Sequence, residues 1–305
     1  MTKFCEYIIY TVRVIIRNFM QILQFFGERF LKRNMENVKK IKKFQDSHIG
    51  ENCIIIGNGP SLRIEDLDLI KKSGLNSFGS NKIIDLLDKT NWRPDYLCVM
   101  DPTFLLGNKR SIRPREYYDI ARSYGIQNFL FVDILKKFLP SKTYKCICYT
   151  KVMYSPLYSR KLFPWTKRME YWVSDLGSVT HYAIQFACYM GYSTIYLYGM
   201  DNTYTKYLNN DGKFRIDNTI ESHANGMKKD EVDKHIEYTP KHKFEAYSIG
   251  GFADKRKNDI GYAKCRAYAE KHGISIINLT RGGHLEIFQR ASFDEIIDKY
   301  IKGFD

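Results

Sequence analysis

Residues 53–62 read CIIIGNGPSL, and this stretch is the strongest guide to the fold. Four apolar residues, Cys53 to Ile56, have the length of a buried strand and run directly into a loop with two glycines. After the loop, apolar residues return at helical spacing, which predicts a helix from Ser61 to Lys71. A strand, a tight loop and a helix in this order form the first unit of an α/β sheet.

The rest of the chain alternates between strand-like and helix-like stretches. Further buried strands are predicted at Tyr96–Val99, Asn128–Val132, Cys146–Tyr149, Ile195–Tyr198 and Ile274–Ile277. Helices are predicted at Asn81–Asp88, Val179–Met190 and Ile260–His272. We therefore expect a doubly wound, mostly parallel, Rossmann-like sheet in one α/β domain over residues 46–305. The polar stretch 202–251 interrupts the alternation and is predicted to form a lid.

Cysteine usage indicates the compartment. The chain has seven cysteines among 305 residues, an odd number without a CxxC pair, and several lie in apolar strand-like runs. This is the pattern of reduced thiols in a cytoplasmic protein, and a chain of this length needs no disulfide to hold its core. Cys146 and Cys148 are too close together for a zinc knuckle and have no second ligand pair.

Basic residues concentrate near the N-terminus. The formal net charge is +14, and residues 1–50 hold ten Lys or Arg against four Asp or Glu. Apolar residues from Ile8 to Phe30 recur at steps of three and four, which predicts an amphipathic helix in an N-terminal arm of residues 1–45. Arg13 and Arg17 interrupt any membrane-spanning run. We expect the arm to attach peripherally to an anionic membrane surface, with packing on the domain or on a second subunit as the alternative.

The first candidate binding residues lie in the loop Gly57, Asn58, Gly59 and Ser61. The loop follows a strand and opens a helix, which is where open α/β sheets bind ligands, and its glycines let the backbone approach a phosphate or ribose. It is not a P-loop, because no Gly-Lys-Ser/Thr follows, and it lacks the third glycine of the dinucleotide fingerprint. A tight turn without a ligand is the alternative interpretation.

Polar residues also lie at the ends of four other predicted elements. Asn81 ends a further predicted strand that lies between Cys53–Ile56 and Tyr96–Val99, and Asp101 follows Tyr96–Val99; both could bind ribose hydroxyls or a base edge. Gly177 and Ser178 precede the most apolar helix and could hold a phosphate, although Ser178 could equally be a helix cap. After the strand ending at Tyr198, Asp201 could orient a sugar hydroxyl, and Tyr204 and Tyr207 could donate to a phosphate. Together these residues predict one pocket.

In this order, the segments resemble the domain family named after the archaeal 6-hydroxymethylpterin diphosphokinase, which includes motility-associated flagellar glycosyltransferases. They are similar, more distantly, to the bacterial sialyltransferases of glycosyltransferase family 42, which have a variant GT-A fold. The matching pieces are Ile56–Leu62, Ser80-Asn81, Asp101-Pro102, Gly177–Val179, Gly199–Asp201 and Arg281–Gly283. The resemblance covers roughly residues 46–297.

The resemblance implies several residue roles. Asn58, Gly59 and Asn81 would contact a cytidine monophosphate donor, and tyrosines near Tyr204 and Tyr207 would grip its phosphate. Asp101 departs from the sialyltransferases, which have an asparagine there. Their catalytic histidine has no counterpart at the aligned position, so His223 or His242 in the polar excursion, or less favourably His235, is the candidate base. Arg281 could neutralise a donor carboxylate or phosphate.

The leading hypothesis is therefore a glycosyltransferase of surface polysaccharides or glycans, moving a sugar, plausibly a sialic-acid-like nonulosonic acid, from a CMP-activated donor to a glycan or lipid-linked acceptor. We expect no cofactor and no obligatory metal, because the one Asp-x-Asp, at Asp66 to Asp68, lies inside a predicted helix. One alternative is a diphosphokinase that uses ATP and a pterin-like acceptor. A basic RNA-binding protein is another, but the aromatic residues form no RNA-binding motif, so no nucleic-acid partner is expected. The oligomeric state stays open.

Overall fold

The structure is a computed structural model. It describes residues 8–9, 11–12, 15–16, 19–20, 22–23, 35–100, 114–137, 139, 146–153, 165, 167–174, 176–203, 206–208, 214–216, 224 and 255–303. Predicted residues elsewhere, among them Asp101, Tyr204, His223, His235 and His242, lie outside the described residues.

The core of the protein is an eight-stranded parallel sheet. Its strands, in chain order, are β1 (Asn52–Ile56), β2 (Asn76–Ser80), β3 (Tyr96–Val99), β4 (Asn128–Val132), β5 (Ile147–Thr150), β8 (Thr194–Tyr198), β11 (Ser275–Asn278) and β12 (Gln289–Arg290). Two short ladders lie apart from it, β6 (Val152–Met153) with β7 (Val173–Ser174), and β9 (Lys206–Leu208) with β10 (Phe214–Ile216). The central strands are almost fully buried, because both faces of a parallel sheet are covered by other elements.

The strand order shows where the sheet reverses, that is, where successive strands begin to be added in the opposite direction across the sheet. Across the sheet the order is β12, β11, β8, β1, β2, β3, β4 and β5, and every neighbouring pair is parallel. The chain thus winds outward from β1 to β5, returns to β8 beside β1, and winds outward the other way. In sheets of this kind, ligands bind outside the carboxyl ends of the strands at the point of reversal, here between β1 and β8.

Six α-helices with described bounds accompany the sheet. They are α1 (Met35–Lys42), α2 (Ile64–Ser73), α3 (Pro114–Ser123), α4 (Val179–Met190), α5 (Lys255–Lys271) and α6 (Phe293–Lys302). Helix α2 contacts α6, and α4 contacts α5. A right-handed crossover places its helix on one face of the sheet where the strands are added in one direction, and on the other face where they are added in the opposite direction. The α2–α6 pair and the α4–α5 pair therefore lie on opposite faces, and the helices flank the sheet on both sides.

Helix α1 is part of this domain. The Asn37 side chain donates to Tyr149 O (2.7 Å) and accepts from Tyr149 N (2.9 Å), so one amide pairs with the backbone of edge strand β5. Ile41 is fully buried. The next segment crosses to the end of α4, where Asp46 N and His48 N donate to Tyr189 O and Met190 O. The sheet domain therefore includes residues before position 46.

Predicted and observed elements differ mainly at short or irregular pieces. The segment predicted as a helix at Asn81–Asp88 is a 3-10 helix, Asn81–Leu86. Strand β12 and the β9–β10 hairpin, which lies within the predicted lid, did not appear in the sequence pattern. Of the predicted amphipathic arm, the positions described between 8 and 23 are helical. Among described helices, none is long and apolar enough to cross a membrane.

Candidate functional site

The loops after β1 and β8 join at the point where the sheet reverses. The Gly57 N–H donates to Tyr198 O (2.8 Å), and the Gly59 N–H donates to Gly199 O (2.9 Å). These bonds continue the parallel ladder beyond the last paired strand residues, Ile56 and Tyr198. The two loops are therefore one hydrogen-bonded unit at the carboxyl edge of the sheet.

Glycine is required in the loop after β1 because the loop after β8 approaches it so closely. A Cβ at Gly57 would overlap the carbonyl oxygen of Gly199 and the sulfur of Met200. A Cβ at Gly59 would overlap the Asp201 carboxylate and the same carbonyl. The glycines that were predicted to admit a ligand thus also allow the two loops to pack together.

Ser61 and Asp201 bind each other. Asp201 Oδ2 accepts from both the Ser61 N–H (3.2 Å) and the Ser61 hydroxyl (2.7 Å). Burial raises the pKa of Asp201 above its usual range, and the two bonds from Ser61 oppose this shift. The backbone of Asp201 is also held, because its carbonyl accepts from His284 N at 2.7 Å. The pair fixes the relative position of the loops, and a ligand role for either side chain stays a prediction.

Three asparagines present unpartnered oxygens at this edge. Asn58 Nδ2 donates to Ser80 O (3.0 Å), and Asn202 Nδ2 donates to Asp259 Oδ1 (2.8 Å). The Oδ1 atoms of Asn58, Asn81 and Asn202 are buried, and none has a hydrogen-bond partner among the described residues. Thr203 Oγ1 is in the same condition. These residues follow β1, β2 and β8, three adjacent strands.

Two of the asparagines also have unusual backbone conformations. Asn81 (φ 45°) and Asn202 (φ 54°) adopt the left-handed region, where a non-glycine residue is disfavoured. Strained residues and buried polar atoms without partners both cost free energy, and both concentrate at ligand sites. An amide oxygen accepts hydrogen bonds, so this edge suits a ligand with hydroxyl or amino groups. Asn202 and Thr203 were not predicted as site residues; the polar run after β8 was the available signal.

The segment before α4 has the geometry of a capped helix start. Ser178 is the N-cap, and its side chain accepts from Thr180 N (3.3 Å). Gly177 directly precedes it with a positive φ of 94°. The hydroxyl of Ser178 is therefore used within the helix, as its alternative interpretation supposed. The phosphate role of Gly177 and Ser178 stays a prediction that depends on the backbone N–H groups of the first turn.

The guanidinium of Arg281 is paired with groups of the protein. Its Nη1 contacts Asp66 Oδ2 and donates to Tyr198 OH (2.7 Å), and its Nη2 donates to Asp294 Oδ1 (2.6 Å). Both terminal nitrogens thus bind groups of the protein. This network gives Arg281 a structural role between α2, β8 and α6, and its donor contact stays a prediction.

The predicted lid touches the site at one described residue. Ala224, which follows the candidate base His223 in the chain, is almost fully buried, and its N–H donates to Asn58 O (2.9 Å). Tyr207 lies in β9, opposite Arg215 in the hairpin. Within the described residues, no group of three His, Cys, Asp or Glu side chains is arranged to hold a metal ion.

Fold and site together define a doubly wound α/β protein with buried, unpartnered polar atoms at the carboxyl edge of its sheet, beside the junction of β1 and β8. Comparison with family models gives a match over residues 28–207 to the family described as 6-hydroxymethylpterin diphosphokinase MptE-like. Because this match covers more than half of the chain, the protein belongs to the MptE-like family.

Comparison with solved structures gives a MAf glycosyltransferase from Magnetospirillum magneticum AMB-1. The sequences are 15% identical and the TM-score is 0.44. The match covers 88% of this chain but 41% of the other, so this chain spans less than half of that protein. Comparison with curated protein sequences gives no match.

Proposed function

We propose that this protein is a glycosyltransferase that binds a CMP-activated nonulosonic acid at the carboxyl edge of the sheet, beside the junction of β1 and β8; we call this place the crevice. The observation that carries the proposal is the set of buried, unpartnered Oδ1 atoms of Asn58, Asn81 and Asn202. Ribose hydroxyls and the exocyclic amine of cytosine are donors that would satisfy such acceptors. The sequence resemblance, which assigns donor contacts to Asn58 and Asn81, supports the same ligand.

The proposed reaction is a direct displacement. The oxygen of an acceptor hydroxyl bonds to the anomeric carbon while the bond from that carbon to the phosphate oxygen breaks, and CMP leaves. The hydroxyl proton passes to a base of the protein. Backbone N–H groups after Ser178, with Tyr204 and Tyr207, would stabilise the charge that develops on the leaving phosphate.

His223 is the candidate base that we favour over His242. The hydrogen bond from Ala224 N to Asn58 O attaches the chain next to His223 to the proposed donor loop. An imidazole that titrates near neutral pH is suited to accept the proton. We expect His223→Ala to lower turnover by about two to four orders of magnitude with little change in donor affinity, and His242→Ala to serve as the control. Wild-type turnover in His223→Ala would exclude this assignment.

Ligand-induced stabilisation tests the donor class. A ligand that binds only the folded protein raises its melting temperature, so CMP, UDP, GDP and ADP can be compared directly. We expect CMP to stabilise most and the effect to persist in EDTA. Release of CMP from a CMP-sugar in the presence of a glycan acceptor would then establish transfer. If UDP or GDP stabilised most, the assignment of cytosine as the nucleobase of the donor would be wrong.

The family description supports a second candidate, a diphosphokinase that transfers pyrophosphate from ATP to a pterin-like acceptor. Such an enzyme needs Mg²⁺ to neutralise the triphosphate. The same thermal comparison separates the two candidates, because a diphosphokinase would be stabilised selectively by ATP with magnesium and would lose this effect in EDTA.

A further inference from the structure

A groove away from the crevice lies along the outer side of α5. It has a volume of about 420 Å³ and lies between the second half of α5 and the segment 165–176. Its basic and aromatic lining residues are Trp165, Lys167, Lys264, Tyr268, Lys271 and His272. We call this the α5 groove. Its volume is within the range of small-molecule sites, about 300–1,000 Å³.

The aromatic residues of the groove form a rigid stack. The Tyr268 ring lies between the other two rings, with centroids 4.0 Å from His272 and 4.4 Å from Trp165 and interplanar angles of 24° and 13°. His272 Nδ1 donates to Tyr268 O (2.8 Å), which fixes one end of the stack. A preorganised aromatic surface loses little entropy on binding and suits the flat apolar face of a sugar ring.

The charge of the α5 groove is one-sided. Four of its described lining residues are Lys or His and none carries a carboxylate. The nearby Glu270 is paired with Arg266 (2.7 Å), and Glu170 accepts from Tyr189 OH (3.1 Å). Lys167 and Lys271 have no ion pair within the described chain. Unneutralised cations beside an aromatic surface select an anionic ligand.

The position of the α5 groove relates it to the crevice. The lining residue Leu176 is two positions before Ser178, the cap of α4, and its carbonyl packs against Gly261, one turn before Lys264. From Ala263 to His272 the groove follows about 13 Å of helix. A chain-like ligand in it would have one end close to the predicted phosphate site.

We propose that the α5 groove binds an acidic glycan, a chain of carboxylated or phosphorylated sugars, as the acceptor of the transfer reaction. Its rings stack on Trp165, its anionic groups contact Lys167 and Lys271, and its terminal hydroxyl lies toward the crevice. The identity of this ligand as an acceptor rests on the proposed function, whereas the binding of acidic sugars does not.

The test is direct binding without a nucleotide. The probe is an oligogalacturonate tetramer, compared with neutral maltotetraose by isothermal titration calorimetry on the full chain. We expect the acidic probe to bind and the neutral one to bind at least about fivefold more weakly. Equal affinity for the two sugars, or no binding of the acidic one, would overturn the proposal.

Matched variants locate the binding. Lys271→Glu should weaken binding about fivefold or more, whereas Lys299→Glu, the same charge reversal on α6, should leave it within about twofold. Ala267 is an exposed lining residue of the α5 groove, so Ala267→Trp should occupy part of the groove and weaken binding about tenfold or more, with Ser123→Trp on α3 as the control for bulk. Equal effects of the variants and their controls would place the binding elsewhere.

CMP separates this proposal from the donor assignment. We expect saturating CMP to leave the affinity for oligogalacturonate unchanged or higher, and Lys271→Glu to retain the thermal stabilisation by CMP. Competition between the two ligands would show that the α5 groove is a nucleotide site and overturn the proposal. Binding of oligogalacturonate to a protein that CMP does not stabilise thermally would support the α5 groove while rejecting the donor.

Discussion

Asn81 and Asn202 combine a left-handed backbone with an unpartnered amide oxygen, so backbone and side-chain roles can be separated by substitution. Asn81→Gly keeps the backbone conformation and removes the amide, whereas Asn81→Ala removes the amide and adds strain. We expect the Ala variant to be about 1 kcal/mol less stable than the Gly variant. Both should bind CMP about tenfold more weakly, because both lack the same acceptor.

Urea unfolding and calorimetric titration with CMP measure the two quantities independently. Asn76→Gly, at the other end of β2, is a control that leaves the crevice intact. If the Asn81→Gly variant bound CMP as well as the wild type, the oxygen of Asn81 would have no ligand role and its conformation alone would explain the residue.

Asp201 makes stability depend on pH. Burial raises its pKa in the folded state, so the folded protein favours the protonated form, and wild-type stability improves as the pH falls through that pKa. Asp201→Asn removes the charge and retains an oxygen that can accept both bonds from Ser61. The stability of the variant relative to the wild type should therefore be greatest near pH 7 and should decrease toward pH 4.

Melting temperatures of both proteins across this range check the sign. The exposed Asp298 on α6 supplies the comparison variant, Asp298→Asn, which lacks this environment. A relative stability of Asp201→Asn that increased toward pH 4 would mean that Ser61 outweighs burial at this carboxylate.

At the scale of elements, the N-terminal helical positions present one apolar face. Eight large apolar residues there are between 40% and 58% exposed: Ile8, Ile9, Val12, Ile15, Ile16, Phe19, Met20 and Leu23. At 100° per residue they occupy a stripe about 140° wide. The sequence that follows carries many of the basic residues, and we propose an anionic membrane surface as the partner of this stripe.

Deletion of residues 1–30 tests this proposal without disturbing α1, whose Asn37 and Ile41 pack into the domain. We expect the full chain to sediment with vesicles that contain phosphatidylserine, and the truncated chain to stay in solution with its melting temperature and CMP binding retained. Each buried apolar side chain contributes roughly 1.5–3 kcal/mol, so high salt should release the full chain only partly.

Ile15→Glu with Phe19→Glu should abolish sedimentation in the same way, because both substitutions fall on the stripe. A truncated chain that changed from dimer to monomer, with no vesicle binding by the full chain, would identify a second subunit as the partner. Unfolding on truncation would instead make the helix a structural brace.

The elements that sequence predicts best are those with strong local signals. Helix α4 has its predicted bounds, Val179–Met190, because an apolar run lies between the cap Ser178 and Gly191 in a left-handed conformation. Strands β3 and β4 likewise have their predicted bounds. Strand β12 has two residues and no detectable periodicity, so its pairing with β11 depends on tertiary contacts that no local pattern contains.

In the site, too, the residues placed by local patterns were predicted, and the contacts between distant parts of the chain were not. The loop Gly57–Ser61 and the strand ends Asn81 and Asp201 lie at the predicted edge, because parallel strands carry their following residues to one side of the sheet. The bond from Asn202 to Asp259 and the Trp165–Tyr268 stack join distant positions in the chain, and spacing alone gives no indication of either.

At the scale of the molecule, Arg281 connects three elements around a buried charge. The Asp66 side chain on α2 is 5% exposed, and Arg281 is its ion-pair partner. Arg281→Ala would leave this carboxylate without a counter-charge and with the Tyr198 hydroxyl as a remaining hydrogen-bond donor, and we expect a loss of about 3–5 kcal/mol in the free energy of unfolding. CMP binding below the melting temperature should be unchanged.

A double-mutant cycle with Asp66→Asn gives the control, since the cost of Arg281→Ala should shrink when the buried charge is already absent. Loss of CMP binding with little loss of stability would contradict this account and restore the donor contact predicted from sequence.

The amide of Asn37 has a consequence for how the protein behaves at high concentration. A parallel sheet exposes unpaired backbone groups at its two outermost strands, and these can recruit strands from other molecules. At β5 the Asn37 side chain occupies one such pair of groups, on Tyr149, while the opposite edge, β12, is only two residues long. Both outer strands thus offer little to an incoming chain, and we expect the sheet to resist growth into aggregates.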